Sequence, residues 1–572
     1  MQTFKDKQQQ LFRWDHLPQQ THDWLEVNWP GAWQRSIIPL IDESMFRDLY
    51  CKNDGAPSKA TADMVGILIL KECYDLTFQE AIEHVMLDVG WQYALDLLPE
   101  QAYVSLRTLK YFSAKVMKDE THRPLFEDLT KKIIDLLGVS FDHQVLDSTH
   151  ILSNIAHLSR LGLFVRTIEN FLSELKKSQP KRYAKLDHAL TVRYTEREGF
   201  GFGDARGSDA RRRLGQCAED LFFLVQRFAK AGTVRKMKSY QTLNRLFIEQ
   251  CHVADGEGAS ASEPVRVILK EPKEISGDTL QSPYDEEAGY SGHKGKGYQA
   301  QIAQTSDPEA ETQIITYVEV ESASASDADA LVIAVDMMDA GGVKPKTVTA
   351  DTAYCGAEND IALRDRGVAL IGPTPGPEPQ DTGTIPIGAF DPAPNLKTVI
   401  RCPAGERPMT CVWDESTDTV IAVFFSGRCE ACAWRALCPV KKHRDGHTLR
   451  YSRCQMATSL RRMNEKTEAY KESYKKRARI ESTNSELKRP HGLGRLRVRG
   501  QPAVEMVVFM KIIACNIKRY LRALMERERI RLKDENQVIQ SQRTPENAGI
   551  GVMGRVFLFS ATSTASAPRM AA

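Results

Sequence analysis

Three carboxylates stand in surroundings that could carry chemistry. Asp147 follows the apolar run of "HQVLDSTHI", and Asp351 follows that of "TVTADTAY", so each is expected at the end of a short β-strand. Glu481 lies in "RARIESTNSELKRPHGLGRLRVRG", residues 477–500, where Glu481 and Glu486 are the only acids among arginine, lysine, glycine and small polar residues. Two strand-end aspartates and a glutamate beside a basic stripe can hold two hard divalent cations against a phosphodiester. Mg²⁺ takes carboxylate and phosphate oxygens, and paired ions about 3.5–4 Å apart activate the attacking oxygen while stabilising the leaving one. Taken singly, each acid has a plainer explanation. An aspartate after a strand forms turns and caps helices, and Arg477 with Glu481 is an i, i+4 pair of the kind solvated helices carry. It is the combination that points to a cation site.

These residues need particular elements to place them. On one helix Tyr474, Arg477, Glu481 and Lys488, spaced by three, four and seven, fall within about 60° of each other at 100° per residue. Ile480 and Leu487 lie on a separate face and should enter the core. Upstream, "GYQAQIA" and "IITYVEVE" read as strands, "DADALVIAVDMMDA" as a helix stopped by Gly341 and Gly342, "KTVTA" as a strand, "AENDIALRDR" as a helix and "VALIG" as a strand. Two adjacent strands followed by strand–helix repeats imply a mixed α/β sheet covered by helices, whose strand ends collect chemistry.

Around that core the pattern changes. Residues from about 44 to 120 are helical: "TADMVGILILKECYDL" is a buried-helix candidate, Thr77 and Glu80 stand at capping-box spacing, and Leu106, Leu109, Phe112 and Val116 form one stripe. Helices such as "LGLFVRTIENFLSEL" and "AEDLFFLVQRFAKA" fill about 152–255, and "ADGEGASASEP" reads as a linker. Seven prolines from Pro373 to Pro394 break regular structure ahead of a cysteine-rich stretch. The expected division is 1–140 helical with DNA binding as one role; 141–151, 282–375 and 455–530 catalytic core; 152–281 helical insertion and linker; 376–454 Pro- and Cys-rich insertion; and 531–572 weakly ordered tail.

The 572-residue chain has a formal charge of only +2, but between Arg428 and Gly500 lysine and arginine outnumber aspartate and glutamate 20 to 7. Such sorting suits a polyanionic partner, although a merely solvated basic face would look alike. Neither a long apolar span nor an apolar leader core is present, which predicts a cytosolic protein without membrane contact. Twelve cysteines in a chain this size should be reduced thiols, or metal ligands where they cluster. Cys402, Cys429, Cys432 and Cys438 include a C-x2-C pair and turn-forming "CPAG" and "LCP", which fits a closed structural zinc site. Cys411 or His443 could substitute, and ordinary buried thiols would show the same composition.

With these residues in view, the chain resembles bacterial insertion-sequence transposases of the DDE class, over about residues 40–525. The likeness rests on "FRDLYCKNDGAPSKATADMVGILIL", "LDSTHILSN", "ADTAYCG" and "YKKRARIESTNSELK", the last fitting a Y-x2-R-x3-E-x6-K signature at Tyr474, Arg477, Glu481 and Lys488. The resemblance implies an RNase H-like catalytic fold with Asp147, Asp351 and Glu481 as the triad for two Mg²⁺ or Mn²⁺ ions. Asp147 would contact both ions, and Asp351 and Glu481 one each. It implies hydrolysis at transposon ends, then attack of the freed 3′-hydroxyl on target DNA, by a homo-oligomer on double-stranded DNA in the nucleoid. Tyr474, Arg477, Lys488, Arg495 and Arg497 would meet DNA. Lys294 and Lys296, with His293, in "YSGHKGKGYQAQ" would as well, although a glycine-rich hairpin explains that stretch equally. The helical and Cys-rich segments interrupt the simplest layout, and Asp142 and Asp360 are weaker competitors for the triad. A nuclease that cuts without joining, or a non-catalytic DNA-binding descendant, are the rival readings.

Overall fold

In a computed structural model, residues 2–5, 14–50, 58–155, 158–195, 207–253, 267–378, 380 and 383–542 are described, apart from the side chains of 207–208 and 536–542. The expected linker at 254–264 and the last thirty residues of the tail lie outside them. The chain divides into two units, Met1–Arg522 and Ala523–Ala572.

The expected mixed sheet covered by helices forms. Its strands are β1 (His143–Ile151), β2 (Gly295–Thr305), β3 (Ile315–Ser322), β4 (Thr347–Thr349) and β5 (Ala369–Ile371), together with the short strand Gly289–Ser291, antiparallel to the start of β2. β1 is central, antiparallel to β2 on one side and parallel to β4 on the other. β3 runs antiparallel to β2, and β5 parallel to β4. Helix α1 (Asp327–Ala340) follows β3 and helix α2 (Ala357–Asp365) follows β4. α1 stops where the sequence suggested: Gly341 caps it, and Gly342 takes φ of +72°, a left-handed conformation suited to glycine.

Two expectations about the site's elements need correcting. Asp147 is not at the end of its strand but at its centre, because pairing with β2 continues from Gln144 opposite Thr305 to Ile151 opposite Tyr298. The signature also does not occupy one continuous helix. Tyr474 belongs to α3 (Glu468–Lys475) and Glu481 to α4 (Ala478–Lys488), with a tight turn at Lys476 and Arg477 between them. Lys476 N bonds Ser473 O at 3.3 Å and Arg477 N bonds Tyr474 O at 2.9 Å, so i, i+3 bonding replaces the α-helical pattern there. Ile480 and Leu487 are fully buried, as their separate face required.

The helical N-terminal region extends further than its periodicity indicated, from Gln19 to Leu137. Its helix Thr61–Cys73 is buried at every position, and the Thr77/Glu80 capping box forms. The insertion after β1 has a core of its own, where Phe164, Phe171, Leu172, Leu221 and Leu243 meet; a short pair of strands, Cys251–Val253 and Val267–Leu269, lies beside it. The described residues of 373–386 carry no helix or strand, as the prolines imply, but the cysteine-rich part is regular. It holds a four-stranded antiparallel sheet, Thr410–Asp414, Thr419–Phe424, Gly446–Ser452 and Lys441–His443 in spatial order, over Phe390, Val420, Ala422, Phe424, Leu449 and Tyr451. The run of apolar, mostly β-branched residues in "TVIAVF" is the local signal for it.

A long helix, α5 (Gln501–Gln542), closes the fold and continues past 531, where a weakly ordered tail was expected. Its Asn516 is buried and clasps the backbone at the start of β3: Oδ1 accepts from Ile315 N at 2.9 Å, and Nδ2 donates to Ile315 O at 2.8 Å. The β2–β3 register shifts at this place, between Ala303 and Gln304, so the amide completes what the ladder leaves open. Asn516→Leu should strand two buried backbone groups and lower unfolding free energy by about 2–4 kcal/mol, measured by urea denaturation; an unchanged midpoint would show that the clasp contributes nothing.

Candidate metal and nucleic-acid site

The three acids meet at one guanidinium. Arg477 Nη2 lies 3.7 Å from Asp147 Oδ1 and 4.0 Å from Asp351 Oδ2, while Nη1 donates to Glu481 Oε1 at 2.9 Å. Strand β1 supplies the first acid and the turn after β4 the second. The first turn of α4 supplies the third.

The acids differ in exposure, from 13% for the Asp147 side chain through 35% for Asp351 to 63% for Glu481, so they line a slope from the sheet to solvent. Burial pushes the Asp147 carboxyl up to about 6; Arg477 opposes that push, and Asp351 and Asp327 add to it. Asp351 also does the plain task expected of an aspartate after a strand: its Oδ1 caps the short turn Thr352–Tyr354 by accepting from Ala353 N at 2.9 Å. Oδ2 is the atom turned to Arg477. Close by, Gly372 leaves no room for a side chain, since a Cβ would stand 2.3 Å from Ala350 O and 2.4 Å from Cys355 Sγ. Three carboxylates and no thiol make a donor set suited to hard divalent cations, and they already converge on one positive group.

The competitors are accounted for. Asp360 is buried and engaged by Arg364 at 2.8 Å and Arg461 at 3.7 Å. Asp142 precedes β1 and pairs with Lys346 at 2.7 Å, five residues along the strand from Asp147, or about 16 Å.

The structure adds one residue to this site. Asn484 Nδ2 donates to Asp147 Oδ2 at 3.2 Å, and its Oδ1 is buried with no hydrogen-bond partner among the described residues. It stands three positions after Glu481, so helical spacing alone could have indicated it.

The expected DNA-contacting residues separate into two sets. Tyr474 stacks on Tyr470 with ring centroids 5.9 Å apart and planes 8° from parallel, beside Arg477. Lys488, at the end of α4, has its pKa lowered by burial; Asp147 opposes the shift and Lys294 adds to it, so both are neighbours. Arg495 is exposed, on an extended segment that pairs with Leu152 beyond the end of β1. Arg497, on the same segment, is exposed but bonded to Asp75 O at 2.8 Å and paired with the Asp75 carboxylate at 3.2 Å. Lys294 and Lys296, by contrast, direct their ammonium groups inward. Lys294 reaches Ser148 Oγ at 2.8 Å, and Lys296 donates to Leu158 O at 2.9 Å. His293 is exposed.

Cys402, Cys429, Cys432 and Cys438 share a neighbourhood. Burial pushes the Cys429 thiol up, and Cys438, Cys402 and Cys432 add to the shift. Two turns present them: Gly405 N bonds Cys402 O at 2.8 Å, and Cys432 N bonds Cys429 O at 3.3 Å. Among the described residues, however, no three of these sulfurs lie within 4.8 Å of one another. Cys411 Sγ instead accepts from Val399 N at 3.4 Å. Among the described residues the set whose donor atoms are that close is Glu486, His491 and Cys515, which no spacing motif groups. It is poorly suited to a cation: Arg519 pairs with Glu486 at 2.7 Å, burial pushes the Cys515 thiol up to about 12, and Lys518 and Lys511 both act on His491.

Two family models match the chain. A transposase DDE domain matches residues 401–521, and a transposase domain (DUF772) matches residues 27–115. The first includes Tyr474, Arg477, Glu481 and Lys488; Asp147 and Asp351 lie outside both. No curated protein and no solved structure matches. No helix among the described residues is long and apolar enough to cross a membrane.

Burial pushes the Asp147 carboxyl up to about 6 in the folded protein, above the unfolded value, so folding takes up a proton between about pH 4 and pH 6 and stability falls as pH rises through that range. Asp147→Asn should therefore stabilise the metal-free protein by about 1–3 kcal/mol at pH 8, with the gain fading below pH about 4. Thermal melts across pH check this; a gain independent of pH would refute the buried-charge account.

Proposed function

We propose that this chain, an insertion-element transposase of the DDE class, cuts phosphodiesters at transposon ends and joins the freed 3′-hydroxyls to target DNA. The observation that carries the reading is the convergence of Asp147, Asp351 and Glu481, from three distant segments, on the guanidinium of Arg477. The six-stranded sheet, antiparallel on one side of β1 and parallel on the other, supports an RNase H-like core.

Asp147, Asp351 and Glu481 would hold the divalent ions, Mg²⁺ or Mn²⁺, which when bound would supply the charge that activates an attacking oxygen and stabilises a leaving one. The protein's own groups do the rest. Asn484 holds Asp147 Oδ2 and so orients the carboxylate. Arg477 balances the acids and can bond a phosphate through its fork of donors. Lys488 and the exposed Arg495 extend positive charge along the path of the DNA backbone, while the Tyr470–Tyr474 stack offers a flat surface to a sugar or base. No residue acts as a covalent nucleophile in this scheme.

In Mg²⁺, Asp147→Asn, Asp351→Asn and Glu481→Gln should each lower strand cleavage and joining by about a thousandfold. Joining of a 3′-end to a second duplex by the wild-type protein separates a transposase from a nuclease that only cuts. Unchanged cleavage in Glu481→Gln would overturn the site assignment.

The cysteine cluster is read as a structural zinc knuckle, because Cys402, Cys429, Cys432 and Cys438 gather on two turns against the core of the small sheet. One zinc per chain should be released by a thiol-blocking reagent and detected with a chromogenic chelator. Cys429→Ser with Cys432→Ser should lose it, and a wild-type protein purified without zinc would refute the assignment.

A further inference from the structure

Beneath the acids a chain of polar groups links the strand that carries Asp147 to the turn that carries Asp351. It begins at Ser148, next to Asp147 and directly opposite Gln301 in the β1–β2 register. Lys294 Nζ donates to Ser148 Oγ at 2.8 Å and Gln299 Oε1 at 3.1 Å, and pairs with Asp327 Oδ2 at 3.3 Å. An ammonium has three hydrogens, so these three acceptors use all of them. Asp327, in the first turn of α1, accepts from Gln301 Nε2 at 2.9 Å through its other oxygen. The same amide nitrogen reaches Glu321 Oε2 at 3.2 Å, and Gln301 Oε1 accepts from Tyr354 OH at 2.5 Å. Tyr354 ends the turn that Asp351 caps. Gln301 and Tyr354 are fully buried.

We propose that Lys294, Asp327, Gln301 and Tyr354 are positioning residues that fix the separation of Asp147 and Asp351 for divalent-cation binding. Lys294 therefore serves the site from inside, not as a contact to DNA. Two ions about 3.5–4 Å apart tolerate little error in their ligands. Dispersion contacts alone would fill the space under the acids without fixing orientation. A fully paired polar chain ties two strands, a helix and a turn into one geometry. The inference rests on the reading of the triad as a cation site.

The test uses the full-length protein and two measurements: Mn²⁺ binding by electron paramagnetic resonance without DNA, and binding of an arbitrary DNA duplex in EDTA across salt concentrations. Tyr354→Phe deletes one hydroxyl, and Lys294→Gln removes the ammonium. Each should weaken Mn²⁺ binding by about tenfold or more, the range seen when groups that orient metal ligands are lost. Duplex affinity and its salt dependence should stay within about twofold of wild type. Lys294→Arg, which keeps the charge and donors, should recover part of the Mn²⁺ affinity, and Asp327→Asn provides a second route if Lys294→Gln does not fold. If Lys294→Gln lowers duplex affinity and the salt slope by about one ion with Mn²⁺ binding intact, Lys294 is a phosphate contact and the proposal is wrong. Loss of both properties together, or of neither, overturns it as well. Asp147→Asn is the control for the underlying reading: if it leaves Mn²⁺ binding unchanged, the triad assignment fails and not merely the positioning chain.

Discussion

Like charges held close together must be balanced, and that requirement organises the centre of this protein. Asp147 is largely withdrawn from water on the middle strand of the sheet, with Asp351 near enough to raise its pKa further. Arg477 is itself partly desolvated, yet Asp147, Tyr474, Asp351 and Glu481 more than offset that cost to its charged form. A single guanidinium with two terminal nitrogens can face three carboxylates at once, which an ammonium could do only as a point charge. The tight turn between α3 and α4 is what brings Arg477 to this place. It lets the arginine face the sheet while Ile480 and Leu487 on the next turns remain in the core.

Several of the groups that hold the surrounding elements in place are polar and buried. Asn516 mends the irregular start of β3, and Arg519 holds Glu486 and Thr483 on the back of α4. Thr483 in turn bonds Gln304 on β2. The helix that carries Glu481 is therefore attached to the sheet by hydrogen bonds as well as by apolar packing. Such contacts contribute little net stability in comparison with hydrophobic burial, but they admit fewer alternative arrangements.

Much of this was legible in the sequence because local patterns carried it. The alternation of strands and helices from Gly295 to Ile371, the capping box at Thr77 and the separate apolar face of Ile480 and Leu487 all have short-range causes. What was not legible depended on partners far along the chain. The extent of β1 beyond Asp147 is set by pairing with β2, and no local feature of "DSTHI" says where that pairing stops. The break at Lys476 contains no proline or glycine. Lys294 looks like a free cation in its own segment, and only the placement of Asp327 and Ser148 shows where its charge is used. The cysteine-rich sheet is hidden for a different reason: its strands are short, and an apolar run such as "TVIAVF" does not by itself distinguish a strand from a buried helical turn.

The two matched domains lie toward opposite ends of the chain, yet they share an interior. Lys511, only 2% exposed, sits between Glu72 at 2.8 Å and Asp75 at 2.7 Å, and Cys73 Sγ approaches Ala514 O at 3.9 Å. The helix Thr61–Cys73, enclosed on every side, owes part of that enclosure to α5. Sequence modularity here does not correspond to physical modularity. Exchanging one matched domain for that of a distant relative would strip an ammonium of its counter-ions or leave two carboxylates without theirs, so the two ends are constrained to change together.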